Sequence, residues 1–444
     1  MKSRKLTYIT AMTVFAALAI PVQPLAQDQP ARHRKQTHYA VKELSTLGGT
    51  QSGANGVTNN GWVTGWATFA GDQTENGVLW RGQSMTALGT LGGPNSAVSF
   101  PVMDNKGVIA GNSQTSETDP FGENFCTFGT FTTYLCQGFH WQNGQMTALP
   151  TLGGNNSWAT TVNHRGQVAG FAETSTQDPN CIAPQVFDFE AVVWGPSDGK
   201  IQGFPPLPGD AISAALGMND RGQVVGGSGV CGTPGLGISG HAVLWEHDSV
   251  TDLGSFGGVM NNLAVFINNR GEVVGISDLA GDATFHAFLW TKDEGVRDLG
   301  TFPGDVLSFP NSINERGQVA GQSCDQNGNC RAIIWQDGVM TDLNSQAPPG
   351  SSLYLTNANN INERGEIVGY AFEASTGDTP GFVAFPCDER HANLEGCKDQ
   401  AAVATAVLSQ PRPSPKMTLP ENVREQLRKR KGFGGYGLPS ERTQ

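Results

Sequence analysis

Short apolar segments alternate with glycine-containing polar turns along almost the whole chain, a pattern that predicts many short β-strands. Segments such as "QVVG" and "HAFLW" are too short for helices. The turns share two glycines that are always four residues apart, and seven copies of this spacing occur, at 58–65, 104–111, 163–170, 219–226, 268–275, 314–321 and 362–369. The last five copies have the full pattern Asn-x-Arg-Gly-x-x-x-Gly.

Each turn is followed by an apolar segment that ends in an aromatic residue. These residues are Trp80, Trp141, Trp194, Trp245, Trp290, Trp335 and Phe385. A segment like "MTDLG" then follows in six copies, and its seventh counterpart, within 39–49, precedes every turn. The last unit is therefore completed by an N-terminal strand, as in a closed ring, whereas an open solenoid would need polar capping units. We predict an all-β fold, a seven-bladed β-propeller of four-stranded antiparallel blades spanning 39–386.

The repeated turn residues have a structural interpretation. The Asn side chain accepts backbone N–H groups, and the first Gly adopts the left-handed conformation that closes a hairpin. The second Gly allows neighbouring backbones to approach, and the aromatic residue packs between blades. We expect the residue after Asn, such as Glu315 or Glu363, to be a solvated hairpin tip. The following Arg either contacts the next blade or faces solvent.

The segments "HAVLW" (241–245) and "HAFLW" (286–290), with "LGTLGG", "INNRGEVVG" and "VTDLG", resemble the HAF-repeat family of probable extracellular proteins. The resemblance covers about 39–386. It implies secretion and a repeat fold, but no catalytic residues. Other residues replace the His in five units, which argues against a shared ligand role for it: Asn76, Gln137, Glu190, Arg331 and Gly381.

The two ends of the chain differ from the repeats. Residues 1–26 have the basic start and apolar run of a signal peptide, with cleavage after Ala26, and 27–38 form a linker. A retained anchor is the alternative, but the run of about 15 residues is short for a bilayer span. We predict that residues 387–410 form a disulfide-stapled extension followed by a linker. The basic tail, 411–444, is interpreted as flexible, although it could form a short helix that binds an acidic partner.

The eight cysteines are typical of disulfides in an exported protein. Three pairs are close in sequence, and Cys181 and Cys231 remain for a fourth pair. The predicted local pairs are Cys126 with Cys136, Cys324 with Cys330, and Cys387 with Cys397. We predict no metal and no cofactor, since the spacing lacks Cys-x-x-Cys and Gly-Asp stretches at 70–77 and 280–287 fit ordinary turns.

The charge distribution excludes one class of partner. Residues 39–400 carry 14 Lys and Arg against 36 Asp and Glu, while the tail after 400 has a net charge of +5. An acidic body repels phosphates, so a nucleic-acid partner is not expected. We expect a monomer in the medium or periplasm with an unknown extracellular ligand, a glycan or a protein.

The loops between the second and third strands of each blade are longest in the second, third and fourth units. Variable loops on a rigid scaffold commonly bind ligands. We therefore expect a binding surface centred on 112–140 and 171–191, although purely structural loops remain an alternative. The aromatic candidates are Phe121, Phe125, Phe128, Phe131 and Tyr134.

No Gly-x-Ser-x-Gly, His-Glu-x-x-His or P-loop motif is present. A hydrolase or lyase acting on extracellular polysaccharide in the channel is the other hypothesis, although the innermost strands show no convergent carboxylates.

Overall fold

The computed structural model describes residues 37–100, 104–123, 125–126, 128, 133–196, 200–232, 240–247, 249–398 and 417–429. The predicted signal peptide with Ala26, nearly all of the 27–38 linker, and Phe131 lie outside these residues. The predicted flexible tail is described only at 417–429. None of the described helices is both long and apolar enough to cross a bilayer.

Twenty-eight strands form seven four-stranded antiparallel sheets, which are the blades. Blades 1 to 4 consist of β2(Gly48–Val57), β3(Trp62–Phe69), β4(Glu75–Arg81), β5(Ser84–Ala87); β6(Gly92–Ala97), β7(Ile109–Thr118), β8(Tyr134–Gln142), β9(Gln145–Ala148); β10(Gly153–Val162), β11(Val168–Gln177), β12(Phe187–Trp194), β13(Ile201–Phe204); and β14(Ile212–Met218), β15(Val224–Gly229), β16(His241–Glu246), β17(Ser249–Asp252).

Blades 5 to 7 follow the same order, and the last one includes the first strand of the chain. They consist of β18(Gly257–Ile267), β19(Val273–Leu279), β20(Phe285–Thr291), β21(Gly295–Gly300); β22(Leu307–Ile313), β23(Val319–Cys324), β24(Cys330–Gln336), β25(Val339–Asp342); and β26(Leu353–Ile361), β27(Ile367–Glu373), β28(Gly381–Pro386), β1(Tyr39–Glu43). A 3₁₀ turn, Leu343–Ser345, precedes the last blade, and the α-helix α1(Glu421–Lys429) follows the extension.

The ring closes between the two ends of the propeller. Strand β1 pairs antiparallel with β28, from Tyr39 opposite Pro386 to Glu43 opposite Phe382. The predicted seven-bladed propeller, with its last blade completed by an N-terminal strand, is thus confirmed. Closure packs the first blade against the last, so neither leaves the uncovered face that the end of an open array would have.

The repeated turn has the predicted conformation in every blade. In blade 4 the Asn219 side-chain oxygen accepts the backbone N–H groups of Arg221 and Gln223, at 3.0 and 3.1 Å. Gly222 has a φ of +85°, which favours glycine. The second glycine, Gly226, faces the neighbouring strand so closely that a Cβ atom would lie 1.9 Å from the Ala214 carbonyl oxygen.

The third-strand aromatic residues pack between blades, as predicted. Trp245 shares a buried cluster with Ala169 and Val193 of the preceding blade. Its indole N–H donates to the Pro205 carbonyl at 2.9 Å. Trp80 and Trp194 make the equivalent bonds, so each indole both fills and locks the contact between adjacent blades.

All four predicted disulfides are present. Cys126 is bonded to Cys136, Cys181 to Cys231, Cys324 to Cys330 and Cys387 to Cys397. The second of these joins loops of two different blades, 50 residues apart. The Cys387–Cys397 bond closes the extension that follows β28. At the start of this extension, the Cys387 N–H donates to the His38 carbonyl.

Candidate functional site

The alternating connections divide the propeller into two faces. The tip face carries the repeated Asn-x-Arg-Gly turns and the connections between third and fourth strands. The loop face carries the loops between second and third strands and the connections from one blade to the next. The central channel opens toward both faces, so each opening is a candidate site.

At the tip face a cavity of about 190 Å³ is lined by the residues that follow the turn Asn. In five consecutive blade contacts, the side chain of one such residue accepts the backbone N–H of its counterpart on the preceding blade. The five contacts are His164 N to Asp220 Oδ1 at 2.8 Å, Asp220 N to Asn269 Oδ1 at 2.9 Å, Asn269 N to Glu315 Oε1 at 2.8 Å, Glu315 N to Glu363 Oε1 at 2.9 Å, and Glu363 N to Asn59 Oδ1 at 3.0 Å.

The remaining two blade contacts complete this ring. Asn60 donates to the Asn105 carbonyl at 3.4 Å, and the Asn105 amide lies 3.0 Å from His164 Nε2. Glu363 is exposed and Glu315 half-buried, as expected of hairpin tips, but their side chains also bridge two blades, which the sequence did not indicate. The hydrogen bonds from His164 hold the pKa of the Asp220 carboxyl below its usual value, against the opposing effect of partial burial. The tip-face polar groups thus serve chiefly to hold the blades together.

The loop face is chemically different, because it exposes apolar side chains. Of the exposed large apolar residues in the described part of the chain, all but Val339 and Leu394 lie on this face. They are Phe69, Phe121, Tyr134, Ile182, Val230, Val259 and Met260. They belong to blades 1 to 5. Exposed apolar side chains that gather on one face indicate an interaction surface.

The predicted aromatic candidates have different surroundings. Phe121 is exposed and packs edge-on against Phe187, with ring centroids 5.1 Å apart, and Tyr134 is also exposed. Phe125 and Phe128 are buried, which leaves them no surface for a ligand. For these two the expectation of ligand contact was wrong.

Phe125 instead anchors the blade-2 loop in an aromatic cluster. Its ring centroid lies 5.6 Å from that of Phe171 and 6.0 Å from that of Phe189, and Trp158 stacks on Phe171 at 6.0 Å. This packing holds the loop that presents Phe121 and Tyr134. The Cys181–Cys231 disulfide similarly holds Ile182 and Val230, which flank it. Asp188 lies close to both sulfur atoms, but bonded sulfurs offer no thiolate to a metal.

Beneath the blade-2 and blade-3 loops lie three buried carboxylates, Asp119, Glu123 and Glu173. They could not be identified from the sequence, because two come from a loop of blade 2 and one from the second strand of blade 3. Glu173 Oε2 accepts the backbone N–H groups of Asn155 and Asn156, at 3.0 and 2.9 Å. Burial, reinforced by the negative charge of Glu123, raises the pKa of Glu173 to about 8. Burial also raises the pKa of Glu123.

Helix α1 covers the loop face at blades 6 and 7. Leu419, which precedes the helix, and Val423 and Leu427 are buried in the same cluster as the innermost strands. The Leu419 N–H donates to the Asn329 side chain of blade 6 at 2.9 Å, and Gln426 donates to Thr379 of blade 7 at 2.7 Å. The spacing of four between the buried residues was visible in the sequence, where this segment was interpreted as flexible.

Comparisons with known proteins show only a general likeness. No family model matches the sequence, and no curated protein matches it. Among solved structures, the chain is similar to TolB from Acinetobacter baumannii (12% identity, TM-score 0.35, covering 58% of this chain and 60% of the TolB chain). It is also similar to an oligogalacturonate lyase from Vibrio parahaemolyticus (10% identity, TM-score 0.45, 80% and 98%) and to the Aleuria aurantia lectin AAL (12% identity, TM-score 0.29, 60% and 81%). Identities and scores this low carry no functional argument.

Proposed function

We propose that this protein is an exported binding scaffold, a member of the HAF-repeat family, whose loop face binds an extracellular glycan or protein. The observation that carries the proposal is the gathering of exposed apolar side chains on that face. Phe121, Ile182 and Val230 are presented by loops that disulfides or aromatic packing hold in place. Fixed apolar side chains lose little conformational freedom on binding.

Four disulfides support export, since such bonds persist in oxidising compartments and are rare in the cytosol. The short HAF-type segments at 241–245 and 286–290 are compatible with the same location. The apolar residues are partly aliphatic, as in Ile182, Val230 and Met260, and this mixture is typical of protein interfaces, whereas sugar rings stack mainly on aromatic side chains.

The second candidate is a hydrolase or lyase that acts on an extracellular polysaccharide. The observation that favours an enzyme is the tip-face cavity, whose lining includes the carboxylates of Asp220, Glu315 and Glu363. Each of these carboxylates, however, accepts a backbone N–H from the preceding blade. The tip-face ring therefore leaves catalysis as the weaker proposal.

The test applies the full-length protein to a glycan array, with parallel incubation on soluble polysaccharides. Binding without product release supports the scaffold, and reducing-end or unsaturated product supports the enzyme. For any ligand found, the double variant Phe121→Ser, Ile182→Ser should weaken binding at least about tenfold, as expected for two anchoring side chains. Val339→Ser removes an equally exposed apolar group from the tip face and is the matched control. Equal affinity of both variants would contradict the assignment of the loop face.

A further inference from the structure

Asp119, Glu123 and Glu173 form a cluster of buried carboxyl groups. Each is less than 5% exposed. Within the described residues, none of the three forms an ion pair with Lys, Arg or His. Buried charges in proteins are normally paired with an opposite charge or with a metal ion.

The local sequence offers no cation that could pair with them. From 107 to 199 the chain contains a single Lys or Arg, Arg165. That residue lies in a tip-face turn, at the opposite end of its blade. The blade-4 loop that joins this region through the Cys181–Cys231 bond, 229–241, contains no Lys or Arg. The loops of blades 2, 3 and 4 on this face therefore supply no Lys or Arg that could neutralise the three carboxyl groups.

Two oxygen atoms in this cluster accept from no N–H group. Glu123 Oε1 accepts the backbone N–H groups of Val186 and Phe187, whereas Oε2 accepts from no N–H group, and the Glu123 carboxyl lies within hydrogen-bond reach of the Glu173 carboxyl. The Gln185 amide donates from Nε2 to Glu173 Oε1 at 2.9 Å, which fixes its orientation, and its own oxygen Oε1 has no partner. Both residues are buried. Carboxylate and amide oxygens that accept no hydrogen bond, close to a second carboxyl group, are of the type that binds cations.

This ligand set favours one class of ion. Carboxylate and amide oxygens are hard ligands, which Ca²⁺ and Mg²⁺ prefer to the nitrogen and sulfur that Zn²⁺ takes. Mixed side-chain oxygens from separate loops suit the larger and less exacting Ca²⁺ better than the rigid octahedron of Mg²⁺. The Asn156 amide links Glu173 with the third carboxylate, since its Nδ2 lies 3.2 Å from Glu173 Oε2 and 2.9 Å from Asp119 Oδ2.

We propose that Glu123 and Glu173, with the Gln185 amide oxygen, bind one Ca²⁺ ion that ties the blade-2 loop to blade 3. The ion stabilises the loops that present Phe121 and Ile182, although its binding does not depend on any ligand of that surface. Asp119 contributes negative charge and holds the turn that places Glu123, because its Oδ1 accepts the Glu123 N–H at 3.2 Å.

The test uses the full-length protein after removal of metal with a chelator. Ca²⁺ at about 100 times its dissociation constant should raise the Tm by about 4 °C, and Mg²⁺ should raise it less. Elemental analysis after gel filtration should find one Ca²⁺ per chain. Glu123→Gln and Glu173→Gln should each abolish both effects. Glu117→Gln, the same change at an exposed position of β7, should change neither.

Two results would overturn the proposal. One is the absence of bound Ca²⁺ together with an unchanged Tm. The other is Ca²⁺ binding that persists in Glu173→Gln, which would place the ion elsewhere. Should a variant fold poorly, terbium luminescence on the native chain provides a second readout, since Trp158 lies two residues from Asn156 and can sensitise an ion held there. If Glu123 and Glu173 share a proton and bind no metal, neither bound Ca²⁺ nor a change in Tm will be found, and the proposal is overturned.

Discussion

The two faces of the propeller are built from the same repeat but differ in how their polar groups are satisfied. On the tip face, side chains such as Asp220 and Glu315 bond across every blade contact and close a ring. On the loop face, Glu123 and Gln185 have buried oxygens without N–H donors, while Phe121 and Ile182 are exposed. The repeated residues therefore serve to assemble the ring, and departures from the repeat mark the face available for binding.

The largest expected effect comes from the crowded second glycine of the repeat. A Cβ on Gly369 would lie 1.8 Å from the Asn357 carbonyl oxygen, whereas Gly377 on the loop face, with φ of +84°, has nothing within 4 Å. Gly369→Ala should lower the free energy of unfolding by at least about 4 kcal/mol, and Gly377→Ala by about 1 kcal/mol. Urea unfolding measures both. Equal losses would contradict the view that the blade interior is the more constrained region.

Blade number, closure, turn chemistry and disulfides could be predicted because each depends on short-range patterns or on a count. The position of Gly222 after Asn219 already encodes a hairpin, whatever surrounds it. The carboxylate cluster could not be predicted in this way, since Glu123 and Glu173 meet only when two blades are side by side. The burial of Phe125 could not be predicted either, because it depends on packing against Phe171 and Phe189 of the next blade, and the local sequence does not distinguish an exposed loop aromatic from a buried one.

The second effect concerns pH and tests the loop face. The pKa of Glu173 is raised to about 8 in the folded state, above its ordinary value near 4.5. The folded state then binds more protons than the unfolded state between these values, so stability should fall as pH rises from about 4.5 to 8. In chelator, we expect a loss of about 4 kcal/mol over this range.

Glu173→Gln provides the comparison for this pH effect, because its side chain cannot ionise. The variant should show a flatter pH profile in urea unfolding at fixed ionic strength. Glu117→Gln should retain the profile of the native chain. If the native protein became more stable between pH 5 and 8, the buried carboxyl would not be the controlling group.

A third effect tests the tip face. Asn362 accepts the backbone N–H groups of Arg364 and Glu366 and donates to the Thr58 carbonyl at 2.9 Å, across the contact that closes the ring. Asn362→Ala should lower the free energy of unfolding by about 2 kcal/mol, since it leaves buried groups without partners. Asn180→Ala, at an exposed loop-face turn, should cost less than about 0.5 kcal/mol. Similar values would show that the tip-face bonds contribute no more than surface ones.

The smallest effect on global stability, and the most local, concerns helix α1. Val423 is 2% exposed, and its neighbours in the central cluster are apolar, so Val423→Asp would bury a charge without a partner. The helix should detach, because hydrogen bonds such as the Asn329 contact, the Gln426–Thr379 bond and the bond from Arg424 to the Asn327 carbonyl do not offset a buried charge. Hydrogen exchange of 417–429 should rise at least about tenfold, while the propeller midpoint in urea changes little. Glu421→Gln, at an exposed position of the same helix, should leave the exchange unchanged.

Ligand binding by Val423→Asp tests whether α1 affects the rest of the loop face, since α1 covers blades 6 and 7 and the exposed apolar residues belong mainly to blades 1 to 5. Unchanged binding would indicate that the two parts of the loop face act separately. Stronger binding would indicate that α1 screens part of the site.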